Sequence, residues 1–434
     1  VRNRVALTFL AALLPLLLLA RTGRGAEVRI DVSKMPGKKI TLLVPAFLDD
    51  KSADRGELRD VLVNDLRLSG YFDLPADIPA DLTVNGAELA AKPDRYDALV
   101  RNGIELLVNL RASTQDGRFV LEGFVYDTAT RTHVFGKRYR GPDASRTKMM
   151  HILAGEIIQE LTGVRSLTGS RLAFLWKSSG KKQVFVSDYD SSNARAVSVP
   201  GELALFPEWL PDGQGLVYTS FASGFPELIL EDLDNRQRKV LTSYPGMNAN
   251  VSFSPDGQHF LATLSKDGNP EIYKLDLRGK VVQRMTHDAA VDTSPCYSPD
   301  GKKFAFVSDK SGSPQIYIMN ASGGKPTRLT FNGAYNVSPD WSPGGRHIAF
   351  SSMVDRNFQL MMINTATGET TQLTEGPGNK EDPDWGIDDR HLVFTLTRDY
   401  KSDLYILDVH SREMTQLTKG KGDFASPSWS GEAP

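Results

Sequence analysis

The sequence predicts an all-β six-bladed β-propeller preceded by a small α+β domain, and three series of residues predict it. Trp209, Phe253, Tyr297, Trp341, Trp385 and Trp429 follow one another at a spacing of 44. Thr242, Thr286, Thr330, Thr374 and Thr418 keep the same step, as do Phe174, Tyr218, Ala262, Phe306, Phe350 and Phe394. A repeat of about 40 to 45 residues, rich in short strands, is the signature of a propeller blade.

One repeat can be read strand by strand. Ser338-Pro339-Asp340-Trp341-Ser342 is a short strand, and Pro343-Gly344-Gly345 a turn whose sister copies read Pro211-Asp212-Gly213, Pro255-Asp256-Gly257 and Pro299-Asp300-Gly301. Proline presets φ at the first central turn position and glycine accepts a positive φ. His347 to Phe350, Phe358 to Ile363 and Thr371 to Thr374 supply three more strands. The array is offset at its ends. Ser426 to Ser430 is a first strand with nothing after it, whereas Arg171 to Phe174, Val184 to Ser187 and Arg195 to Ser198 match strands two to four. The last strand is therefore expected to complete the first blade and close the ring, which removes exposed edges. The aromatic series falls on the strands nearest the axis, as core between blades.

The regions ahead of the repeat follow in order. Residues 1–26 combine Arg2 and Arg4, an apolar run from Val5 to Ala20 and a small residue at Ala26. This reads as a cleavable signal peptide, cut after Ala26, and hence as export. Residues 27–163 lack the repeat and form the α+β domain. Lys39 to Val44 is a strand. Asp54 caps a helix with Leu58, Val61, Leu62, Asp65 and Leu66 on one stripe, stopped at Gly70. Tyr96 to Asn102 is a short helix and Ile104 to Leu110 a strand. Arg118 to Tyr126 and Thr132 to Tyr139 form a hairpin. Ala144 to Leu161 is a helix with Met149, Ile152, Leu153, Ile157 and Leu161 on its apolar face, ended by Gly163. Residues 164–170 are the linker, and 171–434 the propeller.

Composition narrows the function. Hydrophobic residues make up 40% and the formal charge is −2, with no basic excess for nucleic acid. Loss of residues 1–26 removes four of the 51 cationic residues and none of the 53 acidic ones, which leaves −6. Cys296 is the single cysteine and cannot form an internal disulfide; it is expected to be a buried small residue. No Gly-x-Ser-x-Gly elbow, His-Glu-x-x-His, paired Cys-x-x-Cys or phosphate-binding loop occurs. His347 and His391 share a repeat position, which repeat ancestry explains. Glu208, Asp340 and Asp384 share another, beside the axial aromatics. They are expected to bond neighbouring strand ends, and a cation or a basic peptide in the channel is the competing reading. No catalytic, metal or cofactor-binding residue is assigned.

Several stretches carry a resemblance. Asp65-Leu66-Arg67-Leu68-Ser69-Gly70-Tyr71-Phe72 looks like the helix end of the TolB family. Ser265 to Tyr273, Asp292-Thr293-Ser294-Pro295, Ser308-Asp309, Pro314 to Tyr317 and Tyr335-Asn336 resemble its blades, and Glu27-Val28-Arg29-Ile30 its mature N-terminus. The resemblance implies a non-catalytic, monomeric periplasmic adaptor of the Tol-Pal system in Gram-negative bacteria. Such a protein binds the peptidoglycan-associated lipoprotein Pal, the inner-membrane protein TolA and other envelope proteins. It supports outer-membrane integrity and constriction at cell division.

The resemblance also implies where partners bind. Passages from the outer strand of one blade to the axial strand of the next share one face of the ring. Met247, Asn248, Asn250, Asp292, Thr293, Tyr335, Asn336 and Asp382 lie on or beside them and are the expected Pal face. Met247 stands where a polar residue is frequent in the family, and Asn250-Val251 replaces an Ala-Pro pair, so specificity for Pal differs here. Glu27, Val28, Arg29, Ile30, Asp31 and Val32 form the expected TolA segment, an alternation suited to edge pairing and to switching on Pal binding. The alternative class is a propeller accessory of a periplasmic hydrolase or a sugar-binding protein, which calls for a hydrolase domain with a Ser-Asp-His set.

Overall fold

A computed structural model describes residues 38–47, 53–75, 94–177, 180–418 and 422–431. The expected signal peptide and the segment Glu27 to Val32 lie outside the described residues.

The N-terminal portion is a sheet with two helices on one face and a short helix on the other. Strands β1 (Ile40–Leu43), β2 (Phe72–Asp73), β3 (Leu106–Gln115), β4 (Arg118–Asp127) and β5 (Thr132–Gly141) lie in the order β2-β1-β3-β4-β5. Helices α1 (Ala53–Leu68) and α3 (Arg146–Thr162) pack on it, while α2 (Asp94–Arg101) packs through Tyr96 and Leu99 on Leu43 and Leu107. Leu62, Leu66, Met150, Leu153 and Ile157 are fully buried in the shared core. Two expectations are corrected. Strand β3 runs five residues past Leu110, because Asp116 and Gly117, at φ 48° and 69°, make the tight turn that pairs Gln115 with Arg118. Ile152 is an exposed residue and Met150 takes its place in the core, since the buried stripe of α3 runs through 150, 153, 154, 157 and 158. Helix α3 ends where Gly163, at φ 72°, returns its N–H to Gln159 O.

Six four-stranded antiparallel sheets follow, called blades I to VI. In blade I the strand Asp423–Trp429 pairs with Arg171–Lys177, which pairs with Gln183–Asp188 and then Arg195–Ala196. The C-terminal strand thus closes the ring. Blades II to VI begin with the innermost strands Ala204–Trp209, Asn248–Phe253, Asp292–Tyr297, Asn336–Trp341 and Asn379–Trp385. The axial aromatics are buried, and their clusters straddle blades. Trp209 packs with Ala173 and Val184 of blade I, and Trp341 with Ala305 and Ile316 of blade IV. The threonine series has a repeated task. The hydroxyls of Thr286, Thr330, Thr374 and Thr418 accept the N–H of Ile272, Ile316, Leu360 and Leu404 at 2.9 to 3.0 Å, which ties the outer edge to the third strand. Ser198 does the same for Val184 in blade I at 3.0 Å, so the series has a sixth member.

Each innermost strand carries a bulge at one repeat position. Phe206, Asn250, Ser294, Ser338, Asp382 and Ser426 all have φ between 45° and 53°, and the pairing register shifts beside each. A bulge leaves a backbone N–H without a ladder partner. In five of the six blades the next residue is proline (207, 295, 339, 383, 427), which has no N–H to leave unpaired.

Candidate functional site

The innermost strands enclose a cavity of about 140 Å³ on the axis. Its mouth is ringed by the bulged residues, where Ser338 Oγ and Ser426 Oγ donate to the two oxygens of Asp382 at 2.9 and 3.0 Å. A deeper ring holds Glu208, Ser252, Cys296, Asp340, Asp384 and Ser428. Four of these accept a backbone N–H from the next blade: Ser252 from Tyr297 (3.0 Å), Cys296 from Trp341 (3.2 Å), Asp340 from Trp385 (2.7 Å) and Asp384 from Trp429 (2.8 Å). The deeper ring is therefore a seam between blades, and strand-end bonding is what the two aspartates do. Cys296 serves as an acceptor in that seam rather than as a mere space-filler. Burial pushes Glu208 up to about 8, with Asp340 adding to it, and pushes Asp340 up to about 6. Asp384 is raised well above the carboxylate range by burial and by those two acids. Burial, then Asp340, raises the Cys296 thiol. Among the described residues no group of three or more His, Cys, Asp or Glu is arranged to hold a metal ion.

The start of each innermost strand fixes which ring face is which. Asn336 pairs opposite Ser352, so the outer-to-inner passage before Asn336 and the hairpin after Val354 open on the same face. The turns with Arg390, Tyr189 and Asp408 open on the opposite one, and there the N-terminal domain docks. The Tyr189 hydroxyl donates to Asp65 Oδ1, while Asp65 Oδ2 meets His151 Nδ1 at 2.7 Å. Burial opposes the His151 cation, but the Asp65 carboxylate outweighs it and raises the imidazole. Arg390 Nη2 donates to Gly70 O (3.1 Å) and Asp408 Oδ2 (2.7 Å), and its guanidinium lies 4.2 Å from the Tyr71 ring centre. A Cβ on Gly70 would fall 2.6 Å from both Arg390 Nη2 and Asp408 Oδ2. The run Asp65 to Phe72 is thus the docking edge: Asp65 anchors, Gly70 admits Arg390, and Phe72 returns to the core.

The expected partner residues divide in two. Met247 and Tyr335 are exposed and Asn250, Thr293 and Asp382 half-buried, and all five lie on the free face. Asn248, Asp292 and Asn336 are 0% exposed. No partner can touch these three side chains, so they are removed from the contact set. They are clamps. Asn248 Nδ2 donates to the carbonyls of Tyr244 (2.7 Å), Pro226 (3.1 Å) and Gly246 (3.2 Å), and its Oδ1 accepts from Thr242 Oγ1 (2.9 Å). Lys380, at the same repeat position and also 0% exposed, directs Nζ at the carbonyls of residues 375 to 378 at 2.7 to 3.2 Å.

Met247 and Tyr335 are among the residues expected on this face, but most of its exposed apolar side chains are not. Of fourteen exposed large hydrophobic residues among those described, eight belong to it: Val199, Phe206, Phe225, Met247, Val291, Phe331, Tyr335 and Tyr400. Phe225 and Phe331 are 76% and 73% exposed. Their signal in the sequence is that they are apolar residues in passages between strands.

Residues 158–433, more than half of the chain, match the family model described as TolB beta propeller domain. The chain is 32% identical over 206 residues to the Tol-Pal system protein TolB of Desulfosudis oleivorans, covering 44% of each. It is 31% identical over 204 residues to that of Aromatoleum aromaticum, covering 47% of this chain and 46% of the relative. The alignments thus span about half the length of these curated relatives. The crystal structure of TolB from Acinetobacter baumannii superposes with a TM-score of 0.82 at 27% identity, covering 92% of this chain and 98% of that one. Matched over most of its propeller by the family model, and along nearly its whole described fold by that crystal structure, the chain belongs to the TolB family.

Proposed function

We propose that the chain is a non-catalytic periplasmic adaptor of the Tol-Pal system. In this reading it receives Pal on the free face of the propeller and TolA through Glu27 to Val32, and so serves outer-membrane integrity and constriction at division. The names of its relatives support the system. The observation that carries the docking face is that eight of the fourteen exposed large apolar side chains among the described residues lie on the face opposite the N-terminal domain. Exposed apolar surface concentrated on one face marks protein interaction sites. The reading assigns no cofactor and no reaction, since the acids of the channel are engaged in holding blades together.

The test is calorimetric titration of the chain from Glu27 onward with the soluble domain of its own Pal. Thr293→Arg and a truncation starting at Ser33 run in parallel. Saturable binding that is lost in Thr293→Arg and kept in the truncation supports the reading. A folded wild type that does not bind Pal overturns it.

A further inference from the structure

The docking face belongs to a ring with nearly six-fold repetition, and a repeated ring offers a partner several equivalent seatings. Something must break that symmetry. In blades II, III and IV the residues joining the second and third strands (221–226, 265–270 and 309–314) form loops built around Gly224, Gly268 and Gly312, at φ 92°, 126° and 95°. In blades V and VI the corresponding six residues continue the ladder. Met353 pairs with Phe358 and Val354 with Asn357; Thr397 pairs with Ser402 and Arg398 with Lys401. Two added rungs carry each ladder about 7 Å further.

The tips of these hairpins are Asp355-Arg356 (φ 47° and 67°) and Asp399-Tyr400 (φ 49° and 62°). A two-residue hairpin turn with both φ positive favours Asn-Gly or Asp-Gly. Here the glycine position holds arginine in one hairpin and tyrosine in the other, and for a bulky residue the left-handed region is strained. Tyr400 is 99% exposed, so no packing within the chain repays the strain. The bases are nonetheless braced. Asn357 Oδ1 accepts from Gly378 N (3.1 Å) and Asn379 Oδ1 from Phe358 N (3.0 Å), while Tyr335 packs edge-on against Phe358 with ring centres 5.8 Å apart. In blade VI the Thr397 and Ser402 hydroxyls bond across the ladder at 2.9 Å. Two firmly held posts thus stand side by side on one arc of the docking face, each tipped by a residue type that dominates binding energy in interfaces.

Resting on the proposed adaptor reading, we infer that the hairpins of blades V and VI form a raised wall, with Arg356 and Tyr400 at its crest, that grips the side of the docked Pal domain and fixes its rotational seating on the ring. The occupant is a folded domain seated on the channel mouth. It presents an apolar recess to the phenol of Tyr400 and a carboxylate or carbonyl cluster to Arg356.

Glycine suits both tips, so Tyr400→Gly and Arg356→Gly remove the contact groups while relieving backbone strain; Tyr400→Asn is a further variant whose side chain tolerates the same φ. Each is titrated calorimetrically with the soluble Pal domain, and thermal unfolding is recorded on the same samples. The expected result is binding weakened about tenfold or more for the double glycine variant and for Tyr400→Asn, at an unchanged or higher Tm. Wild type that binds Pal while all variants bind equally overturns the wall and leaves the adaptor reading standing. Wild type that does not bind overturns both.

Discussion

Asn248→Ala isolates the clamp from the docking surface. The Asn248 amide is wholly enclosed, donating to three loop carbonyls at 2.7, 3.1 and 3.2 Å and accepting from Thr242 Oγ1 at 2.9 Å and Tyr244 N at 3.2 Å. Alanine removes all five bonds. Gly246 is exposed and Tyr244 half-exposed, so their groups regain water, but the Thr242 hydroxyl stays buried without its acceptor. A buried group left unsatisfied costs about 1 to 3 kcal/mol, and the bonds regained from water recover only part of the rest. The net loss expected is about 3 kcal/mol, a large share of the roughly 5 to 15 kcal/mol that holds a domain folded. Urea unfolding reads it as a lower midpoint at unchanged slope. Under conditions where the variant is folded, its affinity for Pal should match wild type, because the side chain never meets the partner. A stability loss below about 1 kcal/mol would refute the clamp. A normal midpoint with lost Pal binding would return Asn248 to the contact set.

Two further expectations concern the channel and the domain junction. Glu208 binds its proton more tightly in the fold, at about 8, than in the unfolded chain, so its contribution to stability falls as pH rises from the ordinary carboxylate range through about 8. Glu208→Gln should leave Tm unchanged near pH 4 and raise stability at pH 8. A tenfold change in proton affinity is worth about 1.4 kcal/mol, and because Glu208 shares its titration with Asp340 the total expected is about 2 kcal/mol. Equal Tm differences at the two pH values would argue against a strained acid there. Gly70→Ala places a Cβ 2.6 Å from Arg390 Nη2 at a φ of 72° and should loosen the junction at a cost of about 2 kcal/mol. Faster proteolysis between residues 163 and 171 is the readout, and an unchanged rate contradicts the docking role of that edge.

The blade count, the closing strand and the core aromatics are legible because a 44-residue step fixes the same environment six times. The α+β elements are legible from apolar periodicity. The rest is hidden for physical reasons. Periodicity misplaces Ile152 because a helical stripe is ambiguous by one residue when both 149 and 150 are apolar. Asn248, Asp292 and Asn336 read as polar loop residues, and polarity suggests exposure. Their amides and carboxylate are buried because several loop carbonyls and hydroxyls converge on one spot, and that convergence depends on folding of the passage before each strand. The bulges show only as the proline that follows five of the six. Phe206 and Asp382 share no chemistry, and only the backbone makes them equivalent. The wall of blades V and VI keeps the residue count of the loops it replaces, and its one trace in the repeat is Arg356 and Tyr400 at the step that places Gly224, Gly268 and Gly312 in the other blades.

Hydrogen–deuterium exchange of the chain with and without saturating Pal domain reads out which face of the propeller is covered. Slowed exchange is expected in the passages 244–247, 287–291 and 331–335 and in the hairpins 353–358 and 397–402. The turns 211–213, 255–257 and 299–301 on the opposite face should be unaffected. Protection confined to those turns, or to the N-terminal domain, would contradict the assignment of the docking face.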